Sequence, residues 1–320
     1  MIPGLIAFVA AVVLGFAART VGPRIGAVDV PSGALKPHAR PISYLGGLAV
    51  ALAVAIGMTA RGWPLHVAAV AGLAGALALG LVDDAIGLRP SPRLVLQGVL
   101  AIAIVAGGVR ADALPEVLAW LVAIALFVGA MNGVNMVDGM DGLAAGAVVI
   151  SAVGLAAISH AHGGGTGLAL VTTGATAGFL IHNLPPARLF LGDGGAYFLG
   201  AVIAVGVLHA GGKAETLPGA LTCLGVFALD PALAILRRRM SGVSLTEGDR
   251  GHLYDQLTAR GLGPVAVLAA TWAIHTVFVV IGVTASSLPT AGAIALAAAV
   301  WVAAVALLVA FGFVTYSARS

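Results

Sequence analysis

Residues 113–142 read ALPEVLAWLVAIALFVGAMNGVNMVDGMDG, and the fold turns on how this stretch is read. From Ala113 to Met131 the only charge is Glu116, and the apolar residues follow neither a 3.6-residue nor a two-residue period. A run of about 20 apolar residues matches the hydrocarbon thickness of a bilayer. Inside lipid every backbone N–H and C=O is paired within the protein, and without the alternation of a barrel strand the run is a helix. From Asn132 to Gly142 the character changes at once: two asparagines, two aspartates and three glycines stand where the helix leaves the membrane.

The same pattern of apolar run and polar turn fills the chain on both sides. Apolar segments are expected at about residues 3–21, 43–60, 65–82, 93–109, 113–131, 143–160, 166–184, 194–210, 217–236, 264–285 and 289–315. The 320 residues are 60% hydrophobic and only 9% charged, with a mean hydropathy of +1.07. A soluble domain carries about 25% charged residues, so a water-facing surface is excluded. The expected fold is an all-α integral membrane protein of about eleven transmembrane helices, a single domain over residues 1–320. Alanine and glycine are frequent in the runs, as close helix packing in lipid favours. The apolar start from Ile2 has no basic segment before it and reads as a retained helix. The lone cysteine, Cys223, excludes a disulfide framework, and a net charge of +3 gives no argument for nucleic acid.

Charge is distributed unevenly between the loops. Thirteen of the sixteen basic residues fall in odd-numbered loops or the C-terminal tail, among them Arg19, Lys36, Arg93, Arg237, Arg250 and Arg260; only Arg61, Arg110 and Lys213 fall in even loops. The positive-inside rule then places the odd loops and the C-terminus in the cytoplasm and the N-terminus outside. Ten acids share the inner face, and only Asp112, Glu116 and Glu215 are outside. The positive-inside rule does not require that second asymmetry; a functional site on the cytoplasmic face does.

Loop three holds the adjacent acids Asp83 and Asp84, loop five holds Asn132, Asn135, Asp138 and Asp141 among glycines, and loop seven holds Asp193 in Phe190-Leu191-Gly192-Asp193-Gly194-Gly195. Paired carboxylates at a lipid interface are costly unless a proton or cation neutralises them. Oxygen-only side chains on flexible backbone suit a hard cation such as Mg²⁺, with Mn²⁺ as the alternative, and nothing pairs cysteine with histidine as zinc would ask. Loop nine runs from Arg237-Arg238-Arg239 through Asp249-Arg250-Gly251-His252 to Arg260, and loop one carries Lys36, His38 and Arg40. Arginine forks and histidine suit phosphate recognition, although ordinary positive-inside anchoring also accounts for the arginine triplet. His66, His160, His162, His209 and His275 read as structural. Acids for a cation and bases for phosphates, gathered on one membrane face, indicate phosphoryl transfer between a soluble phosphate donor and a lipid phosphate.

These motifs resemble the polyprenyl-phosphate N-acetylhexosamine-1-phosphate transferases, a group that includes the phospho-MurNAc-pentapeptide translocases. The resemblance spans about residues 29–262: the His38–Gly47 stretch, Asp83-Asp84-x-x-Gly87, Asn132-x-x-Asn135-x-x-Asp138-Gly139-x-Asp141-Gly142, Asn183-x-Pro185-x-Ala187, Phe190-Leu191-Gly192-Asp193, Asp230, and Asp249-Arg250-x-His252. It implies transfer of a sugar 1-phosphate from a UDP-sugar to a polyprenyl phosphate, with release of UMP, at the start of cell-envelope glycan synthesis. By resemblance Asn135 and Asp193 would hold Mg²⁺. Asp83 and Asp84 would orient or deprotonate the lipid phosphate, with Asp138 and His252 also in the catalytic set. Gly139, Asp141 and Phe190 would form the uracil pocket, Arg250 and His252 would hold the phosphates, and Lys36 and His38 would join the substrate-binding set. A homodimer would be in keeping with the family.

The chain departs from the pattern twice. His252-Leu253-Tyr254-Asp255 stands where the hexosamine branch has His-x-His-His, and Ala196 stands where serine is usual. The first lies in the loop expected to read the sugar, so the resemblance does not carry the sugar's identity. Translocase-like activity is one alternative. A proton-coupled transporter is another, but its acids would be expected at the membrane midplane, whereas these stand at helix ends. A purely structural membrane protein leaves ten acids on one face unexplained.

Overall fold

The structure, a computed structural model, describes residues 1–30, 40–62, 66–242 and 251–314. Lys36, His38 and Arg250 lie outside the described residues. Helix α1 (Ile2–Ile25) is followed by two short antiparallel strands, β1 (Val28–Asp29) and β2 (Ile42–Ser43), with Val28 opposite Ser43. Then come α2 (Gly46–Arg61), α3 (Val67–Ile86), α4 (Pro90–Ala106), α5 (Glu116–Val137), α6 (Leu143–Ala161), α7 (Gly167–Asn183) and α8 (Gly192–Ala210). The chain ends on α9 (Leu217–Thr222), α10 (Val226–Ser241), α11 (Leu253–Ala259), α12 (Pro264–Ala285) and α13 (Thr290–Ala310). Among the described residues the small β1–β2 pair is the one addition to an all-helical expectation.

Among the described residues seven helices (α1, α3, α5, α6, α8, α12 and α13) are long and apolar enough to cross a membrane, and α2 and α4 are apolar but shorter, at 16 and 17 residues. Burial separates their roles. In its most apolar window α8 is 83% buried, whereas α13 is 11% buried. Helix α8 is therefore the axis of the bundle, packed by α2, α3, α5 and α6, while α13 offers its side chains outward. Burial of an apolar side chain in lipid gains little, so close backbone approach does the packing. At Gly47 of α2 a Cβ would overlap the backbone of Gly195 in α8, and only hydrogen fits there.

The ninth apolar segment differs from expectation. It breaks at Gly225 (φ +43°, ψ −120°) into α9 and α10 instead of running as one helix. The polar groups released by the break are satisfied from neighbouring helices. Val226 N–H donates to His275 Nδ1 at 3.1 Å, and the Ser151 hydroxyl donates to the Cys223 carbonyl at 2.8 Å. Ser151 also meets His275 Nε2 at 2.8 Å, closing the network. His275, fully buried, thus has a structural task. Helix α11, within the expected loop nine, was not legible as a helix.

Candidate active site

Odd loops of an up-and-down bundle meet at one end. There the C-termini of α3, α5 and α7 face the N-termini of α4, α6 and α8, and the sequence-predicted groups gather around the first turn of α8. Asp84 reaches across from α3 and caps that turn: Oδ1 accepts the Asp193 N–H at 2.9 Å and Oδ2 the Gly194 N–H at 3.0 Å. A carboxylate at a helix N-terminus satisfies orphan donors and complements the helix dipole. Gly192 makes room for it, with φ +71° and a Cβ position 2.8 Å from both Asp84 Oδ2 and the Tyr44 carbonyl. Asp193 in turn meets α5, where Asn135 Nδ2 donates to its Oδ1 at 2.5 Å. The two residues expected to hold a metal are thus in contact.

Asp138, just past the end of α5, completes the cluster. Burial pushes its carboxyl well above the usual carboxylate range, and the charges of Asp193, Asp84 and Asp141 push it further. No hydrogen bond to its side chain is formed among the described residues. Asp141 accepts the Ala187 N–H at 2.8 Å, which ties loop five to loop seven. Asn183 strengthens that tie: its Oδ1 accepts the Gly142 N–H and its Nδ2 donates to the Leu189 carbonyl, both at 3.0 Å. Half-buried Phe190 is laced to loop one through its backbone, donating to the Ser43 carbonyl at 2.8 Å and accepting from Gly46 N–H at 3.0 Å.

Asp83 sits beside the cluster but is turned away from it. Its side chain is 3% exposed, and both oxygens are engaged: Oδ1 by Leu88 N–H at 2.7 Å, Oδ2 by the Tyr197 hydroxyl at 2.6 Å and Arg93 at 3.4 Å. In this arrangement Asp83 braces α3, α4 and α8, and its oxygens are turned to those partners and away from the cluster. One turn before Asn135, Asn132 Nδ2 donates to the buried Gln97 Oε1 at 2.6 Å and fixes α5 against α4.

Helix α11 brings the loop-nine contribution. His252 Nδ1 lies 2.6 Å from Asp230 Oδ2, and Asp230 Oδ1 accepts the Leu253 N–H at 2.7 Å. The Tyr254 ring stacks on His252, and its hydroxyl lies where a side chain on Gly139 would go. The structure therefore joins Asp84, Asn135 and Asp193 by hydrogen bonds, sets Asp138 within reach of the charges of Asp193 and Asp84, and links Gly139 and His252 through Tyr254. Asp230, Tyr197, Arg93 and Asn183 were not assigned tasks from sequence. An acid and a hydroxyl inside apolar segments were the available signals for Asp230 and Tyr197.

The residues that could hold a divalent cation are Asn135 and Asp193, whose side chains are in contact, with the carboxylate of Asp138 near enough to feel the charge of Asp193. Among the described residues no three His, Cys, Asp or Glu side chains are grouped closely enough to hold a metal alone. Mg²⁺ commonly takes only one or two carboxylates and completes its shell with waters and substrate phosphates.

Comparison with known proteins places the chain among membrane transferases. Residues 66–211 match the family described as glycosyl transferase family 4, a span that contains every described member of the cluster. The chain is 34% identical over 265 residues to a probable undecaprenyl-phosphate N-acetylglucosaminyl 1-phosphate transferase of Bacillus subtilis, covering 76% of this chain and 73% of that protein. It is 32% identical over 310 residues to the decaprenyl-phosphate N-acetylglucosaminephosphotransferase of Mycolicibacterium smegmatis, covering 80% of this chain and 75% of the relative. A phospho-N-acetylmuramoyl-pentapeptide-transferase of Chlamydia muridarum is 37% identical over a shorter stretch of 121 residues, 36% of this chain and 35% of that protein.

Proposed function

The chain belongs to glycosyl transferase family 4, and from that premise we propose that it moves N-acetylhexosamine 1-phosphate from a UDP-sugar to a polyprenyl phosphate. It is a multi-pass membrane protein. The observation that carries the reading is the meeting of Asp84, Asn135, Asp138 and Asp193 around the first turn of α8. The names of the relatives supply the acceptor and the sugar class. We place this end of the bundle in the cytoplasm. We count α2, α4, α7 and the α9–α10 pair with the seven longer helices to make eleven spans.

In the reaction, an oxygen of the acceptor phosphate bonds to the donor's β-phosphorus. The bond from that phosphorus to the bridging oxygen breaks, and UMP leaves with the electron pair. Such transfers pass through a loose transition state, so positioning and charge neutralisation supply most of the rate. Mg²⁺, held by Asn135 and Asp193 with the donor's phosphates, would neutralise charge on the transferring group. For Asn135 this needs its amide turned so that Oδ1 faces inward. Asp84 keeps Asp193 in place by holding the helix that carries it. Asp138, once ionised beside the cation, would add negative charge that strengthens the hold on it. Gly139, Asp141 and the Phe190 ring are assigned to the uracil, and His252 to the phosphates.

The test is purified protein in detergent with undecaprenyl phosphate, Mg²⁺ and a panel of UDP-sugars. UMP release that needs both the lipid and the cation, highest with an N-acetylhexosamine donor, is the expected result. Release of UDP in place of UMP, or none with any donor, would overturn the reading.

A further inference from the structure

Asp230 stands in an apolar segment, is 2% exposed, and spends both oxygens on two consecutive residues of a different element. A carboxylate buried to that degree is costly unless every oxygen is bonded. Here the bonding has a direction. A carboxylate is an acceptor only, so the imidazole nitrogen facing it, Nδ1, carries the hydrogen, and Nε2 is the ring atom directed away. The second oxygen holds the Leu253 N–H and so fixes the backbone immediately after the ring. The Tyr254 ring then lies parallel to His252, at 7° and 5.6 Å between centroids, and restricts rotation on that side. Through the Tyr254 hydroxyl at Gly139 the assembly reaches the loop that carries Asp138.

We propose that Asp230 is a positioning residue that sets the tautomer and aim of His252, so that Nε2 is presented to the phosphates of the donor. This rests on the proposed sugar-phosphate transfer and names a residue through which that site is organised. A histidine held at Nδ1 by a carboxylate keeps one tautomer and one orientation, and gains basicity at Nε2. In this role Asp230 acts on the transfer through His252 alone, by the bond to its ring and by the bond to the backbone that carries it.

The test is a double-mutant cycle with Asp230→Asn and His252→Gln, read by UMP release. Asparagine keeps the volume but offers one acceptor and one donor, so it cannot hold both Nδ1–H and the Leu253 N–H. Asp230→Asn is expected to lower kcat by about 10²–10³-fold, the range of a misplaced acid–base group, and to leave the KM for the UDP-sugar within about threefold. In the His252→Gln background the same change should lower kcat by no more than about twofold, because its route of action is gone. Additive losses, or an Asp230→Asn enzyme with near-normal kcat, overturn the proposal.

A second measurement is independent of turnover. In ¹⁵N-histidine-labelled protein, the ring assigned by its loss in His252→Gln should report Nδ1–H in the wild type and lose that tautomer in Asp230→Asn. An unchanged tautomer overturns the proposal even if the enzyme proves to use another donor. Should the asparagine variant fail to fold, Asp230→Glu serves: it keeps the acceptor pair one methylene too far and should retain Nδ1–H with reduced kcat. Loss of that tautomer in the glutamate variant counts against the proposal.

Discussion

Replacing Asp84 with alanine removes the cap from α8, and the consequence can be worked from two bonds. The Asp193 and Gly194 N–H groups each lose a charged acceptor, and one charge–dipole contact at the helix start is lost as well. Hydrogen bonds to charged groups contribute about 1.5–3 kcal/mol each, and water entering the half-buried gap recovers part of that. A loss of about 2–4 kcal/mol results; asparagine, which keeps one acceptor, should lose about half as much. At about 2 °C per kcal/mol for a chain of this size, Asp84→Ala should melt roughly 4–8 °C lower in detergent. The same change frees the turn that carries Asp193, so the Mg²⁺ concentration for half-maximal UMP release should rise in the order wild type, Asn, Ala. Thermal melting with and without Mg²⁺, together with a Mg²⁺ titration of activity, checks both. An alanine variant with wild-type melting and an unchanged Mg²⁺ requirement would refute the assignment of Asp84 as the seat of α8.

Asp83, braced by Tyr197, Arg93 and Leu88, should behave differently from a free base: Asp83→Asn is expected to lose the same factor of UMP release from pH 6 to 9, and recovery of activity with rising pH would instead make it a proton acceptor. Asp138 binds its proton more tightly folded than unfolded, because burial and three neighbouring carboxylates raise its pKa, so its ionisation lowers stability as pH rises from the unfolded value of about 3.9 through the folded one. Asp138→Asn should therefore melt higher than wild type at pH 7.5 in EDTA while losing most activity, and a lower melting point would contradict the repulsion. Gly47→Ala should cost about 1–3 kcal/mol or more, since its methyl meets the Gly195 backbone and not a movable side chain; a melting point equal to wild type would show that α2 and α8 are not in close contact.

Length and hydropathy carried the helices because the bilayer allows one solution to a run such as Ala113–Met131. The carboxylate loops were legible because odd loops share an end, which brings Asp84, Asn135, Asp138 and Asp193 to one face before any distance is known. What the pattern could not show was which oxygen points where. Asp83 and Asp84 are adjacent in sequence, yet one braces Tyr197 and the other caps α8, a division made by helical rotation of about 100° per residue. The break at Gly225 was hidden because its polar groups are satisfied by Ser151 and His275 from distant segments. Asp230 was visible as an acid in an apolar run, but its partner lies 22 residues later, beyond the end of α10.

The central claim is that the group transferred is a sugar 1-phosphate and not the sugar alone. The direct measurement uses UDP-N-acetylglucosamine labelled with ³²P at the β-phosphate, with undecaprenyl phosphate, Mg²⁺ and the purified protein. Label in the lipid product, with unlabelled UMP formed in equal amount and neither formed by Asp193→Ala, is the result expected. A lipid that gains the sugar while the label stays with the released nucleotide would contradict it.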